Sequence, residues 1–380
     1  MLAEIKKIIH GGYGLAFLEG KTVFIPYTAP GDKVEFSAVR EKKNLIFGRL
    51  ERVIEPSPQR REPECPIFGA CGGCHLQHLS YEDEIKVKRE SILEDLGRIG
   101  KFKTDFKSVL ASPERYGYRN HAIFKVDDER RAGFLMRESD TLVPFPPQGC
   151  LLLPQEMRTA IAAIPPEAYE PLTEVRVRMD RDGGVHFWGL LDRVGPPEVL
   201  MDAGGLMFPV HHDTFFQVNR FLGSPLIELV LSLPRGVRRK LLDLYCGVGF
   251  FTLPLAKMAQ KALGIERDQY AIRNAVAAER LNAVANVKFR RGDAEKEIGK
   301  LGGFDLVLAD PPRLGLPRSV LQGIIRIKPQ EIVFISCDPP TFARDAKALI
   351  EADYLLSEVH LVDLFPATYH AEIVAVFRRG

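Results

Sequence analysis

The first fifty residues alternate between apolar and polar side chains. In IKKIIHGGYGLAFLEGKTVFIPY (5–27), DKVEFSAVR (32–40) and LIFGRLERVI (45–54) the period is two, the mark of half-buried strands. Glu19-Gly20 falls between two such runs as a hairpin turn. Five short strands in so short a stretch predict a small β-barrel of the oligonucleotide-binding type. The proline- and charge-rich EPSPQRREPECP (55–66) breaks the pattern. A helical stretch follows, SYEDEIKVKRESILEDLGRI (80–99), with Ser80 and Asp83 placed as a capping box. Residues 116–205 read mostly as strands, interrupted at PFPPQGC (144–150).

From about residue 206 the period itself alternates. KLLDLYCG, KALGIERD, VKFRRGD, FDLVLADPP and EIVFISCDPP read as strands ending in polar loops, with helical runs such as FFTLPLAKMA and AIRNAVAAERLN between them. That alternation predicts an α/β doubly wound, Rossmann-like parallel sheet. The last two strands, in YLLSEVHLVDLF and AEIVAVFRR, are joined too briefly for a crossover, so the final strand is expected to run antiparallel. Three domains follow: a barrel at 1–57, a mainly β central domain at 58–205 with its boundary at Gly204–Gly205, and the α/β domain at 206–380.

The 380 residues are 46% hydrophobic, enough for a core in each domain, and no apolar run approaches the roughly 20 residues that span a bilayer. The N-terminus lacks the apolar segment and cleavage site of a leader, so the chain is expected to be cytoplasmic. A net charge of +2 neither demands nor excludes nucleic acid. Residues 86–119 carry nine Lys/Arg against five Asp/Glu, which on charge alone reads as a solvated helix face.

Candidate chemistry gathers where parallel sheets bind ligands, at the carboxyl ends of their strands. Asp243-Leu244-Tyr245-Cys246-Gly247-Val248-Gly249 ends the first strand, and its glycines allow close backbone approach. Position 252 is Thr, so this is not the G-x-G-x-x-G of dinucleotide enzymes. Glu266 ends the second strand, where an acid accepts from ribose hydroxyls, and Asp293 follows the third, placed to approach an adenine amino group. Together with the antiparallel last strand, this set resembles the class I S-adenosylmethionine methyltransferases.

Cys337, in Ile335-Ser336-Cys337-Asp338-Pro339, ends one strand, and Asp310-Pro311-Pro312-Arg313 ends its neighbour. A cysteine in an apolar strand is usually a small buried hydrophobe, but this one sits on the site's rim. A thiolate adding to carbon 6 of uracil makes carbon 5 nucleophilic towards a methyl sulfonium. A general base must then remove the carbon 5 proton, and Glu372, an acid just inside an apolar strand, is the candidate. Asp310 and Arg313 are placed to hold the uracil carbonyls and ring nitrogen; Cys246 reads as packing.

With these motifs the chain resembles the RNA uridine-5 methyltransferase family, in the group that carries an iron–sulfur cluster. The resemblance spans nearly the whole chain, with a TRAM-type barrel at its start. It implies that Gln217, in Phe215-Phe216-Gln217-Val218-Asn219, contacts the cofactor, with Tyr245 and Glu266 at its other cofactor positions and Asp310 as its D-P-P-R aspartate; Asp293 joins the cofactor set by its position after the third strand. It implies Cys337 as nucleophile and Glu372 as base. Phe250 departs from it, since some members carry a polar Asn there.

Cys65, Cys71, Cys74 and Cys150 offer four more thiols. Zinc sites favour paired short spacings, whereas cluster ligation tolerates one remote ligand; His75 and His78 keep zinc open. The resemblance implies a [4Fe-4S] cluster on these four cysteines, in a structural or RNA-positioning role. The expected function is S-adenosylmethionine-dependent methylation of a uridine in rRNA or tRNA, with 23S rRNA placed first, by a monomer with no membrane partner. Two other readings stand beside it. One is a cluster-bearing RNA-binding protein without catalysis. The other is an N6-adenine methyltransferase, which the arginine at position 313, in place of an aromatic, disfavours.

Overall fold

The computed structural model describes residues 1–192, 195–235 and 238–380. Its first sheet has six strands, one more than the pattern predicts, because Leu2–Glu4 and Lys7–Ile9 are separate segments of one kinked run. The first segment pairs with Lys33–Lys42 and the second with Tyr13–Leu18, so the two edges of the sheet are consecutive in the chain. Between them, Ile5 N donates to Asp32 O and Lys6 N to Leu15 O, each half turning to a different neighbour. Glu19 and Gly20 form the hairpin turn with φ of 49° and 77°.

Sequence reading assigns most of the aromatics Tyr13, Phe17, Phe24 and Tyr27 to the core of this unit. The structure corrects that. The core is Ile5, Ala16, Val23, Ile25, Val34, Phe36 and Ile46, and Phe17 is 60% exposed. Alternation explains it: Gly14 and Ala16 point inward, so Tyr13 and Phe17 cannot. Tyr13 instead packs with Phe24 and Phe47 on the outer face, and Arg137 lies 4.0 Å from the Tyr13 ring centroid.

The helix Tyr81–Asp95 begins as expected, with the Ser80 hydroxyl accepting from Asp83 N. A second sheet orders Leu142–Pro144, Ala132–Leu135, His121–Val126, Glu174–Met179 and Val185–Trp188. One helix in this region, Gln155–Ala162, escapes the strand reading; it starts directly after Pro154, and Met157 anchors it in this domain's core.

Gly204 and Gly205 (φ 56° and 69°) make the turn of a hairpin between Glu198–Ala203 and Leu206–His211. The hairpin is tied to the α/β unit through Asn274, whose Oδ1 accepts from His211 N and whose Nδ2 donates to Glu198.

The largest sheet runs Val287–Arg291, Ala259–Glu266, Arg238–Leu244, Leu306–Ala309, Glu331–Ser336, Glu372–Arg379, Tyr354–Val362 and Ser108–Leu110. The first five are mutually parallel, and Glu372–Arg379 is antiparallel to both its neighbours, as expected. Its central strands are buried on both faces. Val333 and Ile335 enter one core with the helix Gly223–Ser232, while Ile332 and Phe334 enter the other with Arg318–Ile327 and Pro339–Glu351. Ile92 and Leu96 belong to that second core, so the Tyr81–Asp95 helix packs on this sheet rather than on the central one. No helix among the described residues is long and apolar enough to cross a membrane.

Candidate active site

The carboxyl ends of the parallel strands form one row. At its cofactor half, Tyr245 takes a left-handed φ of 65° and turns the chain into the loop whose Gly247 and Gly249 also have positive φ. A non-glycine residue there is strained, and such strain collects at ligand sites. Gln217, Tyr245 and Asp310 line a common cleft with Phe215, Gly247 and Phe250. Phe250 is 6% exposed and packs edge-on against Phe216 and Phe251, so the position that departs from the resemblance is an aromatic wall here.

Glu266 and Asp293 are not among the residues lining that cleft. The Glu266 carboxylate accepts from Gly247 N at 3.3 Å and Asp268 N at 2.9 Å, pinning the glycine loop. Asp293 caps a short helix by accepting from Glu295 N. Asp243, beneath the loop, accepts from Thr252 Oγ1 at 2.5 Å, and burial pushes its carboxyl up to about 8. The Cys246 thiol is buried, raised by that burial, and makes a long contact to Gly247 O.

At the other half, Leu306–Ala309, Glu331–Ser336 and Glu372–Arg379 are consecutive neighbours in the sheet. They deliver Asp310, Cys337 and Glu372 to one place. Ser336 pairs with Ile373, and one further step in that antiparallel register sets Cys337 opposite Glu372. None of the three side chains makes a hydrogen bond among the described residues. Burial pushes Asp310 up to about 7. Burial, then the charge of Asp310, raises Glu372 well above the carboxylate range, with Arg313 opposing. Burial, Glu372 and Asp310 push the Cys337 thiol up to about 12, again against Arg313. Cys337 directly precedes Asp338, which caps the N-terminus of the helix Pro339–Glu351. A helix end offers an anion only about 0.3–1 kcal/mol, little against the burial that raises the thiol. Three acidic groups therefore share one desolvated site and titrate as a set.

Sequence reading missed what holds Glu372 there. The segment 363–371 leading into it is clamped by the Tyr81–Asp95 helix. Glu84 accepts from Ala367 N at 2.7 Å, and Lys88 Nζ donates to Asp363 at 2.8 Å, to Phe365 O and to Glu84. Arg115 adds a bond to Glu84 at 2.9 Å. His75 N and Leu76 N both donate to Ala367 O. Lys88 lies inside the stretch read as a solvated face, yet it is 3% exposed and Glu84 is fully buried. Burial alone would lower the ammonium, but Asp363 and Glu84 beside it hold it above its ordinary value. The i,i+4 spacing of Glu84 and Lys88 was the available signal, and the same spacing marks surface pairs.

Cys65, Cys71, Cys74 and Cys150 line one cavity of about 340 Å³ next to that clamp, and all four are free thiols. Burial pushes Cys150 up to about 11 and raises Cys71; Cys74 is raised furthest, by burial and then by Cys150. Thr368 and His370, just ahead of Glu372, line the same cavity. His75 lines it too, whereas His78 does not.

Comparison with known proteins bears on the whole chain. Residues 200–379 match the tRNA (uracil-5-)-methyltransferase family, and residues 1–59 match the TRAM domain of tRNA (uracil(54)-C(5))-methyltransferase. An uncharacterised RNA methyltransferase of Aquifex aeolicus is 34% identical, covering 98% of this chain and 97% of its own. The 23S rRNA (uracil(1939)-C(5))-methyltransferase RlmD of Pseudomonas putida is 30% identical over 99% and 93%. The crystal structure of Pyrococcus abyssi tRNA (uracil-54, C5)-methyltransferase with S-adenosyl-L-homocysteine superposes with a TM-score of 0.78 at 25% identity, covering 99% of this chain and all of that one.

Proposed function

The chain belongs to the RNA uracil-5 methyltransferase family, and on that premise we propose that it methylates its uridine through a covalent adduct on Cys337. It is an RNA methyltransferase that uses S-adenosylmethionine. The cofactor supplies an electrophilic methyl group on a sulfonium. The observation that carries the covalent route is the meeting of Cys337, Glu372 and Asp310 on three neighbouring strand ends.

Cys337 adds to carbon 6 of the uracil as a thiolate, its proton having passed to solvent, and the ring's electrons move onto the carbon 4 oxygen as an enolate. Carbon 5 then takes the methyl group, and the sulfonium leaves as a neutral thioether. Glu372 removes the proton from carbon 5, the double bond re-forms and the thiolate departs. Glu372 acts in its ionised form, which Arg313 beside it favours, and the burial that raises its carboxyl helps it hold the proton it has taken. Asp310 and Arg313 orient the ring. Gln217 and Tyr245 hold the cofactor in the cleft, while Glu266 acts by fixing the glycine loop and Asp293 by capping beside it.

The four cysteines fit a [4Fe-4S] cluster. They converge on one cavity, and about 340 Å³ exceeds what a single zinc with Zn–S bonds near 2.3 Å fills. Methyl transfer involves no net oxidation or reduction, so the cluster and the residues around it serve structure and RNA placement. Large-subunit rRNA is the proposed target ahead of tRNA, on the higher identity of the RlmD relative. The functional units are a TRAM unit at the N-terminus, a central cysteine-bearing unit, and a methyltransferase unit that takes in the 198–211 hairpin.

The test is Cys337→Ala, assayed for methyl transfer from labelled S-adenosylmethionine to tRNA and rRNA transcripts. No transfer is expected, and no RNA–protein complex that survives denaturation. Retained activity sinks the covalent route.

A further inference from the structure

Beside the cofactor cleft lies an open groove of about 230 Å³ lined by His121, Arg176, Arg178, Trp188, Thr214 and Phe215. We infer that this groove is a second RNA subsite, which takes the backbone phosphate and the nucleotide next to the target uridine. The inference rests on RNA being the substrate and adds a contact that the reaction itself does not need.

Arg178 carries the argument. In the strand Glu174–Met179 its side chain is 4% exposed. Nη2 donates to Thr214 O at 2.8 Å, but Nη1 has no partner among the described residues, nor does the buried hydroxyl of Thr214. No carboxylate among the described residues lies within ion-pair distance of the guanidinium. A buried cation without a counter-ion is expensive, and natural folds keep one where an anion arrives. Burial with no acid to offset it pulls Arg178 down to about 10. His121 is held neutral by burial and by Arg178 and Arg119. The groove's one acid, Asp213, is engaged at 3.1 Å by Arg176 on the rim.

The walls suit a base. Trp188 stacks on His212 with ring centroids 5.4 Å apart, and the stack continues through His211 to Tyr270 at 4.2 and 4.0 Å. Phe215, 63% exposed, lines both this groove and the cofactor cleft, so the two are contiguous. A strand with its uracil over Cys337 can continue across Phe215 into the groove. His211, His212 and Asp213 also lie close enough together to hold a cation. However, His211 Nδ1 already accepts from Asp213 N and Asp213 is paired with Arg176, so the donors are committed.

The experiment compares wild type, Arg178→Gln, Arg178→Lys and Arg176→Glu. The probes are unmodified transcripts of a tRNA and of a 23S rRNA fragment containing uridine 1939. RNA affinity is measured across a salt series, and S-adenosylhomocysteine affinity reports on the cleft. Arg178→Gln is expected to bind RNA about 10-fold more weakly, with the salt slope reduced by about one, and to bind S-adenosylhomocysteine as wild type does. Arg178→Lys keeps most of the affinity. Arg176→Glu, on the exposed rim, weakens RNA binding without disturbing the fold and remains decisive if Arg178→Gln does not fold. A single neutral methylphosphonate beside the target uridine weakens wild type but not Arg178→Gln. Wild-type RNA affinity and salt slope in a folded variant overturn the subsite and leave the methyltransferase reading standing. Activity retained in Cys337→Ala bears on the covalent route alone.

Discussion

The two halves of the strand-end row treat their acids in opposite ways. In the cofactor half three acids are already occupied: Asp243 with Thr252, Glu266 with Gly247 and Asp268, Asp293 with Glu295. Each bond is short in sequence and shapes the loop that receives a ligand. In the catalytic half Asp310, Cys337 and Glu372 are unbonded, and burial raises all three. The placement of Glu372 comes from far away, through Glu84 and Lys88 on a helix some 280 residues earlier. Acids that build a site spend their hydrogen bonds on the backbone, and those that react are left open and positioned by others.

Glu372→Gln tests the open half with the largest expected effect. Losing a general base lowers turnover about 10²–10⁴-fold. Here the loss falls after methyl transfer, so methylated RNA bound through Cys337 accumulates and is visible on a denaturing gel. S-adenosylhomocysteine affinity stays unchanged. Turnover within a few-fold of wild type would move the base elsewhere.

Lys88→Met tests the remote support. It leaves Asp363 buried without its cation and Glu84 with Arg115 alone, a loss of about 3–5 kcal/mol in urea melts. Adding Glu84→Gln to the same chain relieves the repulsion and returns part of that stability. If Lys88→Met melts like wild type, the clamp is not what holds residues 363–371.

Asp243→Asn asks whether an occupied acid still strains the fold. Its carboxyl ordinarily ionises near 3.8, and in the folded protein burial raises it to about 8. Between those values the unfolded chain is ionised while the folded one keeps its proton. Stability therefore falls as pH rises from about 4 to about 8, by about 1.4 kcal/mol per pH unit from this group. Asp243→Asn removes that slope, so it melts higher than wild type at pH 8 and alike at pH 4. Parallel stability curves would place Asp243 in a more polar setting.

The same contrast explains what the sequence made legible. The doubly wound sheet, its antiparallel last strand and the row of site residues follow from local patterns: a strand, its terminal acid or thiol, a glycine turn. What escaped depends on partners distant in the chain. Glu84 and Lys88 sit at a spacing that exposed pairs also use, and only the arrival of Asp363 makes them buried. Arg178 alternates with Val175 and Val177 like a solvent-facing residue, yet Thr214 covers it. In the N-terminal sheet, small residues at 14 and 16 took the core and sent Tyr13 and Phe17 outward.

Glu266→Gln has the smallest expected effect and separates the two roles an acid can play in the cofactor half. Gln keeps an oxygen for Gly247 N but loses the carboxylate's second charged acceptor, which now serves Asp268 N. One weakened hydrogen bond is worth about 1 kcal/mol, or roughly a 5-fold rise in KM for S-adenosylmethionine. Because the bond shapes the loop and touches no reacting atom, kcat should not change. A fall in kcat at unchanged KM would place Glu266 with the open acids. A much larger rise in KM, with the loop intact, would mean that the carboxylate grips the cofactor directly when it binds and gives up Gly247 to do so.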